Sequence, residues 1–297
     1  MRKRMNLLSL AWVLGLAACA PGSVAPSASG APSAPAALSA TAASIAPNSS
    51  FALSLPATEL AQARQALAPT GTLRVGVYPG SPTSLVIHPQ TGESAGVALA
   101  LGQLMGQQLG VPVQVVEFAR VAEIITAIQR GEVDMTFTNA SPARARDVDF
   151  SRTLVQLELG LLLPPQSSIR RFEQVDRAGL RVGVSQGSSS QGVLTQLFKQ
   201  AQVVPVASLE VAQHMLHSQQ LDAFATNKGI LFEMREKLPG FSVSDDRWGL
   251  ENLAIAVPKG RAAGQTFLTA FAEQVTRSGR LAQMAERAGL RGLAKAD

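Results

Sequence analysis

The sequence predicts an α/β protein of two lobes, each built on an open sheet of largely parallel strands. Three observations carry that prediction. Beyond residue 68, short β-branched runs alternate with amphipathic helical stretches, the pattern of βαβ units. The tetrapeptide Arg74-Val75-Gly76-Val77 returns as Arg181-Val182-Gly183-Val184, and the order of elements after both copies agrees. The 297 residues, 46% hydrophobic and 16% charged, suffice for about two domain cores.

Residues 58–68 read as a short helix. In the first half, residues 73–78 form a strand, 97–109 a helix closed by Gly110, and 113–118 a second strand. Residues 121–130 form a helix with Val121, Ile124, Ile125 and Ile128 on one face and Gly131 as its stop, followed by a strand over 133–137. The second half gives a strand at 181–184, a helix from Ser188, a strand at 203–206, a helix over 208–219, a strand at 222–226 and a helix through 232–237. A strand at 252–257 and helices over 264–277 and 279–288 complete the pattern. Open α/β sheets bind ligands at the carboxyl ends of their strands, so two such lobes facing each other make a cleft.

Charge and composition narrow the function. The formal charge of +5 includes Arg2, Lys3 and Arg4; removing those three of the 26 basic residues leaves 23 against 21 acidic ones, a charge of +2. That balance, with only 5% aromatic residues, argues against a nucleic-acid partner. Cys19 is the single cysteine, which excludes an internal disulfide, and His88, His214 and His217 are too few and scattered for a metal cluster, so no cofactor is expected. Residues 1–18 read as an export signal: a basic start, then an apolar run over 7–18 too short to span a bilayer. Leu16-Ala17-Ala18-Cys19 resembles the bacterial lipobox, which implies that Cys19 is lipidated and becomes the new N-terminus. Residues 20–48 are dominated by Ala, Pro, Ser and Gly, and the lipidated cysteine with its tether is assigned to residues 19–68. The protein is therefore expected in the periplasm or cell envelope, anchored to a membrane.

The segment Ser141-Pro142-Ala143-Arg144-Ala145-Arg146-Asp147-Val148-Asp149-Phe150-Ser151 resembles the Thr-x-x-Arg and Asp-Phe-Ser stretch of extracytoplasmic solute-binding proteins of family 3, the amino-acid-binding type. The resemblance covers roughly residues 71–290. It implies a two-lobed type II periplasmic-binding-protein fold, with two open mixed sheets flanked by helices and a two-strand hinge near 157–163 and 246–253. Lobe 1 would hold residues 69–157 and 251–297, and lobe 2 residues 158–250. Arg144, rather than Arg146, matches the family's carboxylate-binding arginine, whose planar guanidinium donates two parallel hydrogen bonds. Ser141 opens that segment. Val182-Gly183-Val184-Ser185-Gln186-Gly187-Ser188-Ser189 resembles the family's strand and helix start, which makes Ser188 and Ser189 ligand contacts beside free backbone N–H groups. Thr138 and Asn139 are further polar candidates. Tyr78 is near enough to replace the stacking aromatic, since Ser81-Pro82 stand in its place. Asn227 occupies the position of the aspartate that pairs with a ligand ammonium, and Gly96-Val97-Ala98-Leu99 departs from the family's Gly-Phe-Asp.

The resemblance implies a substrate-binding lipoprotein of an ABC importer that captures a small carboxylate-bearing solute by hinge closure. It would be a monomer without catalytic activity, served by permease and ATPase subunits, since the sequence has no Gly-x-x-x-x-Gly-Lys-Ser/Thr phosphate loop. Two alternatives share the scaffold. One is a periplasmic cyclohexadienyl or prephenate-type dehydratase, with Glu158, then Glu93 or Glu251, as its acid or base. The other is an accessory ligand sensor. Trp248, beside Gly249, reads as core packing.

Overall fold

The computed structural model describes residues 51–294; the export signal, Cys19 and the tether to residue 50 lie outside the described residues. The first half runs α1 (Ala57–Leu67), β1 (Leu73–Val77), the short β2 (Val86–Ile87) and β3 (Ser94–Ala95), α2 (Val97–Leu109), β4 (Val113–Glu117), α3 (Val121–Gln129), β5 (Thr136–Asn139) and β6 (Val148–Phe150). A crossover strand, β7 (Val155–Leu163), leads to β8 (Arg181–Ser185), α4 (Ser189–Leu197), β9 (Gln202–Val206), α5 (Leu209–His217), β10 (Ala223–Asn227), α6 (Lys228–Lys237) and β11 (Ser242–Val243). The second crossover, β12 (Gly249–Pro258), returns to α7 (Gln265–Arg277) and α8 (Arg280–Arg287).

The two crossovers pair antiparallel, from Gly249 opposite Leu159 to Leu253 opposite Val155. Through that pair the open sheets become one mixed, eight-stranded array, in the order β5-β12-β7-β10-β8-β9, with β6 on β12 and β11 on β7. The parallel pair β1–β4 is linked to the residue preceding β5 by a single bridge, Val75 to Met135. Side-chain alternation then sorts the cores. Leu162 and Phe224 point to the face covered by Leu216 and Leu231, while Leu161, Ala223 and Ala225 point to the face holding Val182, Val184 and Leu194. The first lobe closes around Val75, Leu101, Met105, Phe137, Ile255 and Phe271. None of the described helices is long and apolar enough to cross a membrane.

The repeated tetrapeptide is one device used twice. Arg74 donates from its backbone N and its Nε to Asp134 Oδ2 (3.0 and 2.8 Å) and from Nη2 to Oδ1 (2.8 Å). Arg181 makes the same three contacts with Asp222 (2.8, 3.0 and 3.0 Å). Each aspartate precedes the strand that lies beside the arginine's own, so the pair sets the register. The glycine of each copy is needed for close packing: a Cβ at Gly76 would run into Ile124 of α3, and one at Gly183 into Leu221 and Phe224. Asp134 is fully buried and also accepts from Arg261 Nη1 at 3.0 Å.

Three expectations are corrected. The tether does not extend to residue 68: Phe51, Ala63 and Leu67 are buried in the first core, and Phe51 meets Phe271 edge-on at 5.8 Å. Small residues dominate this stretch by number, but Leu60, Ala63 and Leu67 turn one face of α1 to the core, and Phe51 joins it ahead of the helix. The strand expected at 133–137 starts later, at Thr136, because Asp134 is held by Arg74. The hinge segment at 246–253 and the strand at 252–257 are one ten-residue strand, β12. Trp248 packs in the second lobe, stacked on Phe172 at 5.6 Å, with Nε1 donating to Gly160 O. His214 and His217 lie on the exposed face of α5.

Removing the buried carboxylate in Asp134→Ala leaves Arg74 and Arg261 unmatched, and the expected loss is about 3–5 kcal/mol in urea unfolding. Asp222 is held below the usual carboxylate range chiefly by its hydrogen bond from Arg181. Its contribution is therefore complete above the unfolded value, about 3.9, and is lost as pH falls through the lower folded value. Asp222→Asn should cost stability at pH 7 and little at pH 2, read from unfolding midpoints at both.

Candidate functional site

Strand ends and helix starts from both halves converge on the cleft beside the crossover pair. From the first half, β5 ends in Thr138 and Asn139, and a short turn of 3-10 helix then carries Arg144. Arg144 is only 9% exposed. Its Nη1 donates to Thr138 Oγ1 at 2.6 Å and to Asn139 O at 3.5 Å, and among the described residues its other guanidinium nitrogens have no partner. Arg146, two residues on, is exposed. Burial thus separates the two arginines as their spacing does. Asn139 is fixed by its Oδ1, which accepts from Asn252 N of β12.

The second half contributes the N-termini of three helices. Ser188 caps α4 by accepting from Gln191 N (3.1 Å), Ser208 caps α5 by accepting from Val211 N (3.2 Å), and Asn227 caps α6 by accepting from Ile230 N (3.1 Å). All three line the cleft. The positive ends of these helices therefore face the same space as the Arg144 guanidinium, an arrangement suited to an anion. Ser185, at the end of β8, and Thr226, at the end of β10, add hydroxyls to the wall.

Of the sequence candidates, Tyr78, Thr138, Asn139, Arg144, Ser188 and Asn227 line this cleft together. Ser141 and Ser189 do not. Ser141 lies beneath the Arg144 turn, its Oγ accepting from Arg144 N. Ser189 is inside the first turn of α4, with its Oγ buried and without a partner among the described residues.

Glu251 ranks with Glu93 behind Glu158 in the sequence, yet among the described residues it is the only carboxylate on the wall. It is 8% exposed, and its Oε2 accepts from Asn227 Nδ2 at 3.0 Å. Burial pushes its carboxyl up, against the opposing pull of Arg144 and of the Asn227 hydrogen bond. Burial likewise pushes Arg144 down, opposed by Glu251. A signal for Glu251 was present: an acidic residue at the start of the apolar run Leu253-Ala254-Ile255-Ala256-Val257 has to face something polar. The other two acids are elsewhere. Glu158 pairs with Lys228 Nζ at 2.9 Å and Arg247 at 3.4 Å, which holds its carboxyl below the usual range, and Glu93 is exposed beyond the cleft.

The walls stand close together, with about 30 Å³ of space between them. Arg120, at the start of α3, donates across to Ala207 O at 3.1 Å, and Gly187 lies against Ala122 so tightly that a Cβ would collide. A larger groove of about 520 Å³ lies outside the cleft, between α2 and α8, but its polar side chains are exposed or half-buried.

The profile of the bacterial extracellular solute-binding proteins, family 3, matches residues 73–290. The chain belongs to that family. Among family 3 relatives, the ABC transporter glutamine-binding protein GlnH of Bacillus subtilis (strain 168) is 25% identical over 200 residues, 65% of this chain and 72% of that protein. The solute receptor for L-cysteine of Neisseria gonorrhoeae has a TM-score of 0.68 at 21% identity, over 78% of this chain and 99% of that one. The ancestral amino-acid-binding protein AncCDT-1, a precursor of cyclohexadienyl dehydratase, has a TM-score of 0.66 at 22% identity, over 75% and 98%. These structures share the two-lobed fold with this family 3 protein.

Asn227→Asp keeps the cap on α6 but sets a second buried carboxylate against Glu251 in place of an amide donor. The expected loss is about 1–3 kcal/mol at neutral pH. One of the two acids must then titrate above its unfolded value, so the penalty grows as pH rises and is relieved as pH falls. Thermal melts at pH 5 and pH 8 measure the difference.

Proposed function

We propose that this family 3 protein is the solute-capturing subunit of an ABC importer, anchored at the membrane in the periplasm or cell envelope by a lipid on Cys19. Its solute is a small carboxylate-bearing molecule, an amino acid or a related organic anion. It hands that solute to permease and ATPase subunits, works as a monomer, and needs no cofactor. The first lobe is assigned to residues 69–157 and 251–297, extended by α1, and the second to residues 158–250.

The observation that carries this reading is Arg144: a buried guanidinium that keeps only Nη1 occupied and opens the rest of its donors to the cleft. A carboxylate accepts two parallel N–H groups from such an edge. From the other lobe, Ser188 retains its O–H for donation while its oxygen caps α4. A ligand held from both sides favours the closed arrangement, and the two crossover strands are the backbone that must bend to open it. The narrow cleft and the Arg120 contact with Ala207 fit a closed state. Relatives whose names specify glutamine or cysteine support the amino-acid class.

A second reading has one observation in its favour: Glu251 is a buried carboxyl inside the cleft, as a dehydratase would require. Glu158 is unsuited, since Lys228 keeps it ionised outside the cleft. Incubation with prephenate decides this reading, and formation of phenylpyruvate above background would favour it over transport.

Three outcomes are expected. In a thermal-shift screen of amino acids, keto acids and dicarboxylates, a true ligand at a hundred times its dissociation constant adds about 2.7 kcal/mol, and Arg144→Ala removes the shift. Stabilisation by neutral sugars alone would count against the reading. Arg120→Ala loses the contact between lobes, and small-angle scattering should show a larger radius of gyration at nearly unchanged stability. Cys19→Ser moves the protein from the membrane fraction to the soluble one.

A further inference from the structure

Two opposite charges are buried in one small cleft and do not pair with each other. Arg144 and Glu251 are 9% and 8% exposed, and no ion pair within 4.0 Å joins them. Each presents an unsatisfied edge to the same space. On Arg144 that edge is the guanidinium beyond Nη1; on Glu251 it is Oε1, which receives no hydrogen bond among the described residues. We propose that Glu251, on β12, receives the ammonium group of an amino acid ligand whose carboxylate Arg144 holds, in place of the family's acid at position 227. This rests on the receptor reading above and names the residue that takes the cation.

The surroundings of Glu251 leave few other partners. Asn227 donates Nδ2 to Oε2 while its own Oδ1 caps α6, so its oxygen is committed and its amide aims the carboxylate. Tyr78 is on the cleft wall, but its hydroxyl donates to Ser81. Lys228, next to Asn227, is engaged by Glu158 and Asp245 O, and Arg247 by Glu158. Arg120 is engaged by Glu123 and Ala207 O. A buried carboxylate with one donor is costly to ionise, and an ammonium brings both the charge and the missing donors. A simple carboxylate ligand would satisfy Arg144 but leave Glu251 unpaired and repel it. An amino acid satisfies both in one closure.

The test is calorimetric titration of the purified protein at neutral pH with the standard L-amino acids, followed by the matched 2-hydroxy acid of each one that binds. That exchange keeps the carboxylate and side chain and removes only the cation. The expected result is that the hydroxy acid binds roughly 10- to 100-fold more weakly, the scale of one charge-assisted contact. Glu251→Gln should weaken the amino acid by a similar factor and leave the hydroxy acid unchanged or tighter. The double variant Asn227→Asp, Glu251→Gln, which moves the carboxylate across the same hydrogen bond, should recover part of the loss.

Equal affinity of wild-type protein for an amino acid and its hydroxy acid overturns the inference, as does an undiminished amino acid affinity in Glu251→Gln. The wild-type comparison needs no variant, so it tests the role of Glu251 even where Glu251→Gln folds poorly. If both ligand classes bind equally and Arg144→Ala abolishes both, the receptor reading stands and the role of Glu251 falls. If no amino acid and no other carboxylate binds, both fall together.

Discussion

The antiparallel pairing of β7 with β12 is the constraint on which the rest of the structure depends. These strands join the halves, and their register, fixed from Gly249–Leu159 to Leu253–Val155, sets how the two sheets continue into each other. The same register decides what reaches the cleft. Glu251 enters the wall, while Glu158 on the neighbouring strand does not and is paired with Lys228. A slip of one residue would exchange the faces of every side chain along β12. It would bring Leu250 or Asn252 to the cleft and turn the carboxylate away. Strand pair and cleft wall are thus one piece of backbone, so any bending of the pair would act directly on the cleft.

Charges elsewhere in the buried structure are matched within the protein. Asp134 has Arg74 and Arg261, Asp222 has Arg181, and Glu158 has Lys228 and Arg247. Arg144 and Glu251 are the exception, and their partial desolvation is unfavourable until a partner arrives. Under the proposed hinge closure, two unsatisfied charges brought together would disfavour the empty closed state. A ligand that satisfied both would reverse that balance through its differential affinity for the closed form. The matched pairs serve a different end. Those of Arg74 and Arg181 fix strand order within each lobe.

Much of this architecture was legible in the sequence because it is local. The helix at 97–109 was placed to the residue by its apolar face and Gly110, and the repeat of Arg-Val-Gly-Val reported a real structural repeat. Arg144 could be chosen over Arg146 from motif spacing, and burial separates them in the same sense. What escaped depends on contacts between distant segments. The hairpin of β2 and β3 has two residues in each strand, too few for a period to show. Ser188 and Ser189 are adjacent and chemically identical, and only the direction of the first turn of α4 puts one in the cleft and the other out of it. Glu251 was underrated because its partner, Asn227, lies 24 residues away on another strand.

Asn227 also explains how a carboxylate is maintained at such a place. Its side chain bridges the first turn of α6 to Glu251, accepting from Ile230 N and donating to Oε2. The positive end of α6 is thereby directed at the carboxylate through a hydrogen bond that polarises in the same sense. An aspartate at 227 would cap the helix equally well but would reverse that last dipole. A residue with no side-chain oxygen would lose the cap. An amide meets both demands, since it offers an acceptor to the helix and a donor to the acid. The departure at 227 and the carboxylate at 251 are therefore best understood as a single arrangement, in which the negative charge sits on the hinge strand and the second lobe supplies the group that holds it.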